Sequence, residues 1–155
     1  MWKKIKPYVI SIAAALAVGG LSAIFTNGNM DVYKALNQPP LAPPAPVFPI
    51  VWSILFVLMG IGSALVWLNG ESGERNSALK LYVLQLCVNF FWSIIFFNMQ
   101  AHLFAFIWLL FLWVLVLAMI LKFFRISRTA AYLQIPYILW ITFAGYLNLM
   151  IFILN

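Results

Sequence analysis

Five apolar runs, each long enough to cross a bilayer, leave this chain very few ways to satisfy its backbone. They extend over Tyr8–Phe25, Val47–Asn69, Ala78–Asn98, Leu103–Phe123 and Thr129–Leu154. In hydrocarbon every N–H and C=O must be paired within the protein, and a helix of about 20 residues does this within one segment. The chain is 66% hydrophobic and 8% charged, whereas soluble domains average about 45–50% apolar residues and about 25% charge. Its 155 residues hold five spans with little left over. The expectation is an all-α integral membrane protein, a five-transmembrane-helix bundle forming one domain over 1–155. Local breakers divide the spans: Thr26-Asn27-Gly28-Asn29, Asn69-Gly70-Glu71-Ser72-Gly73, Asn98-Met99-Gln100 and Arg125-Ile126-Ser127-Arg128.

Lys3, Lys4 and Lys6 ahead of the first span also resemble the charged start of a secretory signal peptide. The apolar run outlasts an ordinary signal core, however. Ala15, Gly19 and Ala23 form a small-xxx-small series suited to close packing in lipid, which favours a retained helix.

Basic residues fall almost entirely on one side of a five-span bundle. Lys3, Lys4, Lys6, Arg75, Lys80, Lys122, Arg125 and Arg128 share the N-terminal side, and Lys34 stands alone opposite. By the positive-inside rule the N-terminus is cytoplasmic, with the first loop and the C-terminus outside. A bacterial cell membrane is the expected location. The net charge of +6 reflects this orientation and contact with anionic headgroups. Basic residues scattered over short membrane-edge segments argue against a nucleic-acid partner.

The long first loop, residues 27–46, is rich in proline. Pro39, Pro40, Pro43, Pro44, Pro46 and Pro49 make up six of the chain's eight prolines. Proline fixes φ and removes a donor, so Pro39–Pro49 is expected to be a semi-rigid extended lid, or a connector that merely shapes a turn. Immediately after it, Trp52, Phe56, Met59 or Gly60, and Ser63 recur at helical spacing. A lid over the start of that face would cover a pocket.

Inside the membrane the sequence is nearly free of charge. Asp31, Glu71 and Glu74 all lie outside the spans, which disfavours an ion-coupled cycle, and no phosphate-binding loop is present. The lone Cys87 and lone His102 form no metal-ligand pattern, so no metal and no cofactor is expected. In the third span Gln85, Asn89, Trp92 or Ser93, and Phe96 share one stripe. Polar groups placed so either join helices by hydrogen bonds or orient a ligand. The fifth span offers Tyr132, Pro136, Trp140, Phe143 or Ala144, and Leu147 on a matching face, with Pro136 expected to bend the helix. Indoles and phenyl rings there would suit a flat, lipophilic, aromatic ligand. Trp2 and Trp67 fit an interfacial belt instead, and Trp108 and Trp113 face lipid or neighbouring helices.

These residues resemble the translocator protein family, also known as tryptophan-rich sensory proteins or peripheral-type benzodiazepine receptors. The likeness covers nearly the whole chain. It is carried by Pro43-Pro44 with Val51-Trp52, Leu55 and Met59-Gly60; by Leu81-Tyr82, Gln85-Leu86, Asn89, Trp92 and Ile95-Phe96-Phe97; and by Pro136-Tyr137, Trp140, Phe143-Ala144 and Leu147-Asn148. The resemblance implies five transmembrane helices, a homodimer, and a pocket under the first loop for tetrapyrroles such as protoporphyrin IX and for isoquinoline-carboxamide or benzodiazepine drugs. Carried over by position, Trp52, Asn89, Trp92, Trp140, Ala144 and Leu147 fall on pocket positions, with Tyr33, Pro43 and Pro44 in the closing loop. Phe56, Gln85 and Phe143 complete the candidate ligand-binding set. Some bacterial members are associated with light-dependent oxidative breakdown of protoporphyrin, for which Trp52 and Trp140 would be the reactive side chains. Leu41, Pro46 and Phe56 depart from frequent Trp, Trp and Tyr. The last span ends Leu147-Asn148-Leu149-Met150-Ile151-Phe152-Ile153, without the Tyr and Arg or Lys of the animal cholesterol pattern, so specific cholesterol binding is not expected.

Overall fold

A computed structural model describes all residues, 1–155. It is an all-α bundle with five helical segments long and apolar enough to cross a membrane. Helix α1 covers Trp2–Thr26 and passes through a 3-10 turn, Asn27–Asn29, into the short α2, Met30–Ala35. Then come α3, Val47–Asn69, and α4, Ser72–Ser93, which ends in a π turn over Ile94–Asn98. Helix α5 runs His102–Ile126, α6 is the five-residue Arg128–Tyr132, and α7 is Ile135–Leu154. The sequence placed the spans well and their ends short, most visibly in α1 and α4. Polar first turns are still helical because a helix needs no apolar residue where it leaves the bilayer.

Helix α1 packs on α3, α3 touches α4, α4 packs on α5, and α5 packs on α7. Close approach is set by glycine. A Cβ added to Gly60 of α3 would sit 2.5 Å from the Ile12 Cα of α1, and one on Gly19 would sit 2.6 Å from a Phe56 ring carbon. Of the small-residue series, Ala15 is fully buried against α3, whereas Ala23 is exposed beside a cavity. Loop, α4–α5 turn and C-terminus gather at one end. There the Asn98 side chain donates to Phe25 O (3.0 Å) and accepts from Asn29 Nδ2 (2.8 Å). The opposite end holds the basic residues, with Lys122 Nζ donating to Ser77 Oγ at 2.8 Å and the Arg75 guanidinium 4.4 Å from the Trp67 ring centre.

Three features of local structure depart from the sequence reading. The loop over 27–46, assigned no helix from sequence, holds the 3-10 turn and α2 in its first part. The extended stretch expected over Pro39–Pro49 stops short of Pro49: α3 starts at Val47 and takes Phe48 and Pro49 into its first turn, where a missing N–H costs no helical hydrogen bond. Between them the chain turns at Pro40–Leu41, with Leu41 in the left-handed region (φ 69°) and Ala42 N donating to Pro39 O at 3.2 Å.

The last span is the third correction, because it is two helices rather than one bent helix. Ser127 Oγ accepts from Ala130 N (3.2 Å) to cap α6, and the chain breaks at Leu133–Gln134. Pro136 lies in the first turn of α7, so it starts a helix and bends none. The inward face nevertheless keeps one helical period across the break, from Ala130 and Gln134 to Tyr137 and Ile141, and it is not the face that carries Tyr132 and Pro136. Tyr132 is 60% exposed and Pro136 is exposed, while Gln134, Tyr137, Ile141, Ala144, Asn148 and Ile151 form the buried face.

Candidate functional site

Between α1, α3, α4, α7 and the loop lies a cavity of about 670 Å³. That is within the roughly 300–1,000 Å³ of small-molecule sites. Its floor is buried: Phe56 of α3, Asn89 and Trp92 of α4, and Ala144 and Leu147 of α7. Its rim is exposed and includes Gly20 and Ala23 of α1, Asn27 and Lys34 of the loop, and Pro49 and Ser53 of α3.

Each wall has a local cause. On α4, Trp92 and Phe96 are four residues apart and stack, with ring centres 5.2 Å apart at 22°. The π turn continues this wall: Phe96 and Phe97 both line the cavity, although they are neighbours in sequence. Tyr33 of α2 lies against both, at 5.9 and 5.3 Å, and against Phe48 of α3 at 6.5 Å. The short helix in the loop thus lowers an aromatic ring onto the site. Helix α1 contributes bare backbone at Gly19 and Gly20, where larger side chains would fill the space.

Polar groups beside the cavity are mostly bonded to one another. Asn89 Nδ2 donates to Tyr137 Oη (2.7 Å), and Tyr137 Oη donates to Gln85 Oε1 (2.7 Å). Gln85 Nε2 reaches Met59 Sδ at 3.8 Å. Higher up, Trp92 Nε1 donates to Asn148 Oδ1 (3.1 Å), and Asn148 Nδ2 donates to the His102 carbonyl (2.7 Å). These bonds join α3, α4, α5 and α7, so the polar stripe on α4 is first of all a means of joining helices. The faces that Asn89, Trp92 and Asn148 leave uncovered still line the cavity.

The structure therefore divides the sequence-derived candidates. Tyr33, Trp52, Phe56, Asn89, Trp92, Ala144 and Leu147 line the cavity together. Gln85 is fully buried beneath it, in the hydrogen-bond chain. Trp140 and Phe143 lie behind Trp52: Trp140 packs edge-on to Trp52 (6.5 Å, 89°) and Phe48 (5.9 Å), and both residues line a separate shallow groove between α3 and α7. The Trp140 Nε1–H is buried without an acceptor. Pro43 and Pro44 shape the loop, while Ala45 and Pro46 touch the cavity. Tyr137 and Asn148 were not singled out by the sequence reading as pocket supports, although Asn148 sits four residues after Ala144 on the same face. Trp108 and Trp113 bond to neighbouring helices, at Val88 O (2.8 Å) and Thr142 Oγ1 (2.9 Å).

The loop is fastened over this cavity by the end of α7. Asn37 N donates to Asn155 Oδ1 (3.0 Å), Asn155 Nδ2 donates back to Asn37 O (3.2 Å), and Asn37 Nδ2 donates to Leu154 O (3.3 Å). Tyr146 Oη donates to Pro40 O at 2.9 Å.

Residues 11–154 match the TspO/MBR family model. A "Tryptophan-rich protein TspO" of Chlorobaculum tepidum is 38% identical over 157 aligned positions, covering 100% of this chain and 99% of that protein. "Protein CrtK" of Rhodobacter capsulatus is 32% identical, over 96% of this chain and 92% of its own length. The "Translocator protein" of Bos taurus is 34% identical, with coverage of 92% and 88%. With the five spans and a family match over nearly its full length, this multi-pass integral membrane protein belongs to the TspO/MBR family.

Proposed function

We propose that the protein is a membrane receptor for tetrapyrroles, of the protoporphyrin IX and haem-like porphyrin class, which it senses, buffers or helps to move across the bilayer. The observation that carries this reading is the cavity of about 670 Å³ walled by Tyr33, Trp52, Phe56, Trp92, Phe96 and Phe97. Flat π-faces attract a flat aromatic ligand by dispersion and by edge-to-face contact. Isoquinoline-carboxamide and benzodiazepine drugs fit the same chemistry. On this reading the protein sits as a homodimer in a bacterial cell membrane, its N-terminus cytoplasmic and its loop and C-terminus outside. No Asp, Glu, Lys or Arg sits near the centre of any span, so movement would be facilitated passage rather than coupled transport.

Binding is tested in nanodiscs by titrating protoporphyrin IX against tryptophan fluorescence. Wild type should show saturable quenching. Ala144→Phe, which fills the cavity floor, should weaken binding by about tenfold or more with the helical circular dichroism unchanged. An affinity equal to wild type in that variant would refute this site. Protein-dependent porphyrin flux in liposomes would then separate passage from binding alone.

A second reading is light-dependent oxidative degradation of the bound porphyrin, with the porphyrin absorbing the light and dioxygen as oxidant. It is favoured by the position of Trp52, which lines the cavity and also touches Trp140 (6.5 Å) and Tyr137 (6.2 Å). Oxidisable rings thus lead away from the ligand. Porphyrin absorbance lost under illumination at one rate in wild type, Trp52→Phe and Trp140→Phe would remove the enzymatic claim.

A further inference from the structure

The cavity wall contains a single charged side chain, Lys34. It lies on the exposed rim, and Asn27, Met30 and Tyr33 accompany it along the wall formed by the 3-10 turn and α2. The buried floor opposite is aromatic, aliphatic or already hydrogen-bonded, through Phe56, Asn89, Trp92, Ala144 and Leu147. The site is therefore polarised, with an apolar slot that has one cation at its mouth and no acid along its walls. A ligand matching it is amphipathic, with a flat apolar body and an anionic group at its outer edge. On the loop side of the membrane Lys34 is also the only Lys or Arg, so no other side chain there offers a permanent positive charge.

We propose that Lys34 is the specificity-determining residue of the site, receiving a carboxylate of the ligand so that free-acid porphyrins are preferred to their esters and enter body-first. This rests on the tetrapyrrole reading and adds to it a chemical class and an orientation. The ammonium is a point charge on a flexible stem, able to follow a carboxylate without fixing its geometry. Its exposure limits the effect to that of a solvated ion pair, about threefold to fivefold in affinity and reduced by salt.

The test compares protoporphyrin IX with its dimethyl ester, by quenching titration of the full chain in zwitterionic nanodiscs at low salt. Wild type should bind the diacid about threefold to fivefold more tightly. Lys34→Gln should abolish the diacid-to-ester preference, Lys34→Glu should invert it, and Lys34→Arg should retain it. A diacid-to-ester ratio that Lys34→Gln does not alter would overturn the inference and assign Lys34 to its second place, the last turn of α2. An anionic lipid headgroup has the same chemistry as the carboxylate. Nanodiscs containing phosphatidylglycerol separate the two: loss of the diacid preference there, at equal ionic strength, would give Lys34 to the lipid and overturn the proposal. If neither porphyrin quenches saturably, the tetrapyrrole reading itself fails and this inference falls with it.

Discussion

The Tyr137 hydroxyl is the pivot of the bundle beneath the cavity, and its removal has a calculable cost. Tyr137 is 1% exposed and its oxygen both accepts from Asn89 Nδ2 and donates to Gln85 Oε1, each at 2.7 Å. Tyr137→Phe keeps the ring, its volume and its edge-on contact with Trp52 but deletes both bonds. Interhelical hydrogen bonds in membranes contribute about 0.6–1.7 kcal/mol each. Asn89 and Gln85 are themselves 4% and 0% exposed, so neither finds water in exchange, and the upper part of that range applies. The loss comes to about 2–3 kcal/mol, or roughly 4–12 °C in Tm at about 2–4 °C per kcal/mol for a chain of this length. Thermal unfolding followed by circular dichroism in one detergent measures the shift. Tyr132→Phe, at an exposed position, is the control and should change nothing. Removing the stranded partners as well, in Tyr137→Phe/Gln85→Leu/Asn89→Leu, should recover part of the loss, since replacing every partner by apolar groups avoids the cost of orphaned ones. A Tm within about 1 °C of wild type for Tyr137→Phe alone would refute the argument that this hydroxyl joins the helices.

Two further perturbations probe the walls and the loop. Gly60→Ala places a methyl 2.5 Å from the Ile12 Cα. Because backbone cannot yield as a side chain does, α1 must move off α3, which should cost about 1–3 kcal/mol and weaken porphyrin binding together with stability, read by the same melting and quenching assays. Wild-type values of both would show that α1 and α3 are further apart than described. Asn37→Ala removes the side-chain bond to Leu154 O and loosens the clasp to Asn155. Amide exchange in residues 36–46 should rise about tenfold with little change in Tm, and porphyrin dissociation should accelerate; unchanged exchange would mean that the loop holds itself.

The five-helix membrane fold could be read from sequence, because it follows from rules with a range of a few residues. Apolar run length fixes the spans, and i, i+4 spacing places Gln85, Asn89, Trp92 and Phe96 on one buried face. The rest depended on which face of a helix turns inward, which spacing alone leaves open. Ala130, Gln134, Tyr137, Ile141, Ala144, Asn148 and Ile151 keep one helical period across the break at Leu133–Gln134, and Tyr132 and Pro136, aligned by arithmetic with Trp140, lie off that face and point outward. Phe97 joins Phe96 at the cavity four residues after Ser93, as Phe96 follows Trp92, although the chain there is already in the π turn at Ile94–Asn98, which no residue pattern announced. The lid was legible as a segment but not as a shape: its proline density suggested extended backbone, whereas a tyrosine-bearing helix, α2, brings Tyr33 to the site beside Ala45 and Pro46 of the proline-rich stretch.

Of the two possible uses of the polar stripe, the joining of helices is the one its hydrogen bonds display, and this bears on how the proposed site would choose a ligand. In a membrane a buried amide left free would be costly, so Gln85, Asn89 and Asn148 bond across helices first. Trp92 Nε1 and the Asn148 amide are then bonded where they meet the cavity, and Asn89 has committed its Nδ2 to Tyr137, giving the site a wall of rings and largely bonded amides with few free donors or acceptors. A wall of that kind discriminates by shape and flatness, since rejecting an analogue strongly needs a buried polar group that only the right ligand can pair. Selectivity among flat aromatics of similar size is therefore expected to be shallow inside the cavity. Sharper discrimination is left to the rim, where Lys34 has hydrogens to donate and the loop, held by Asn155 and Tyr146, decides how much of the ligand's edge is covered.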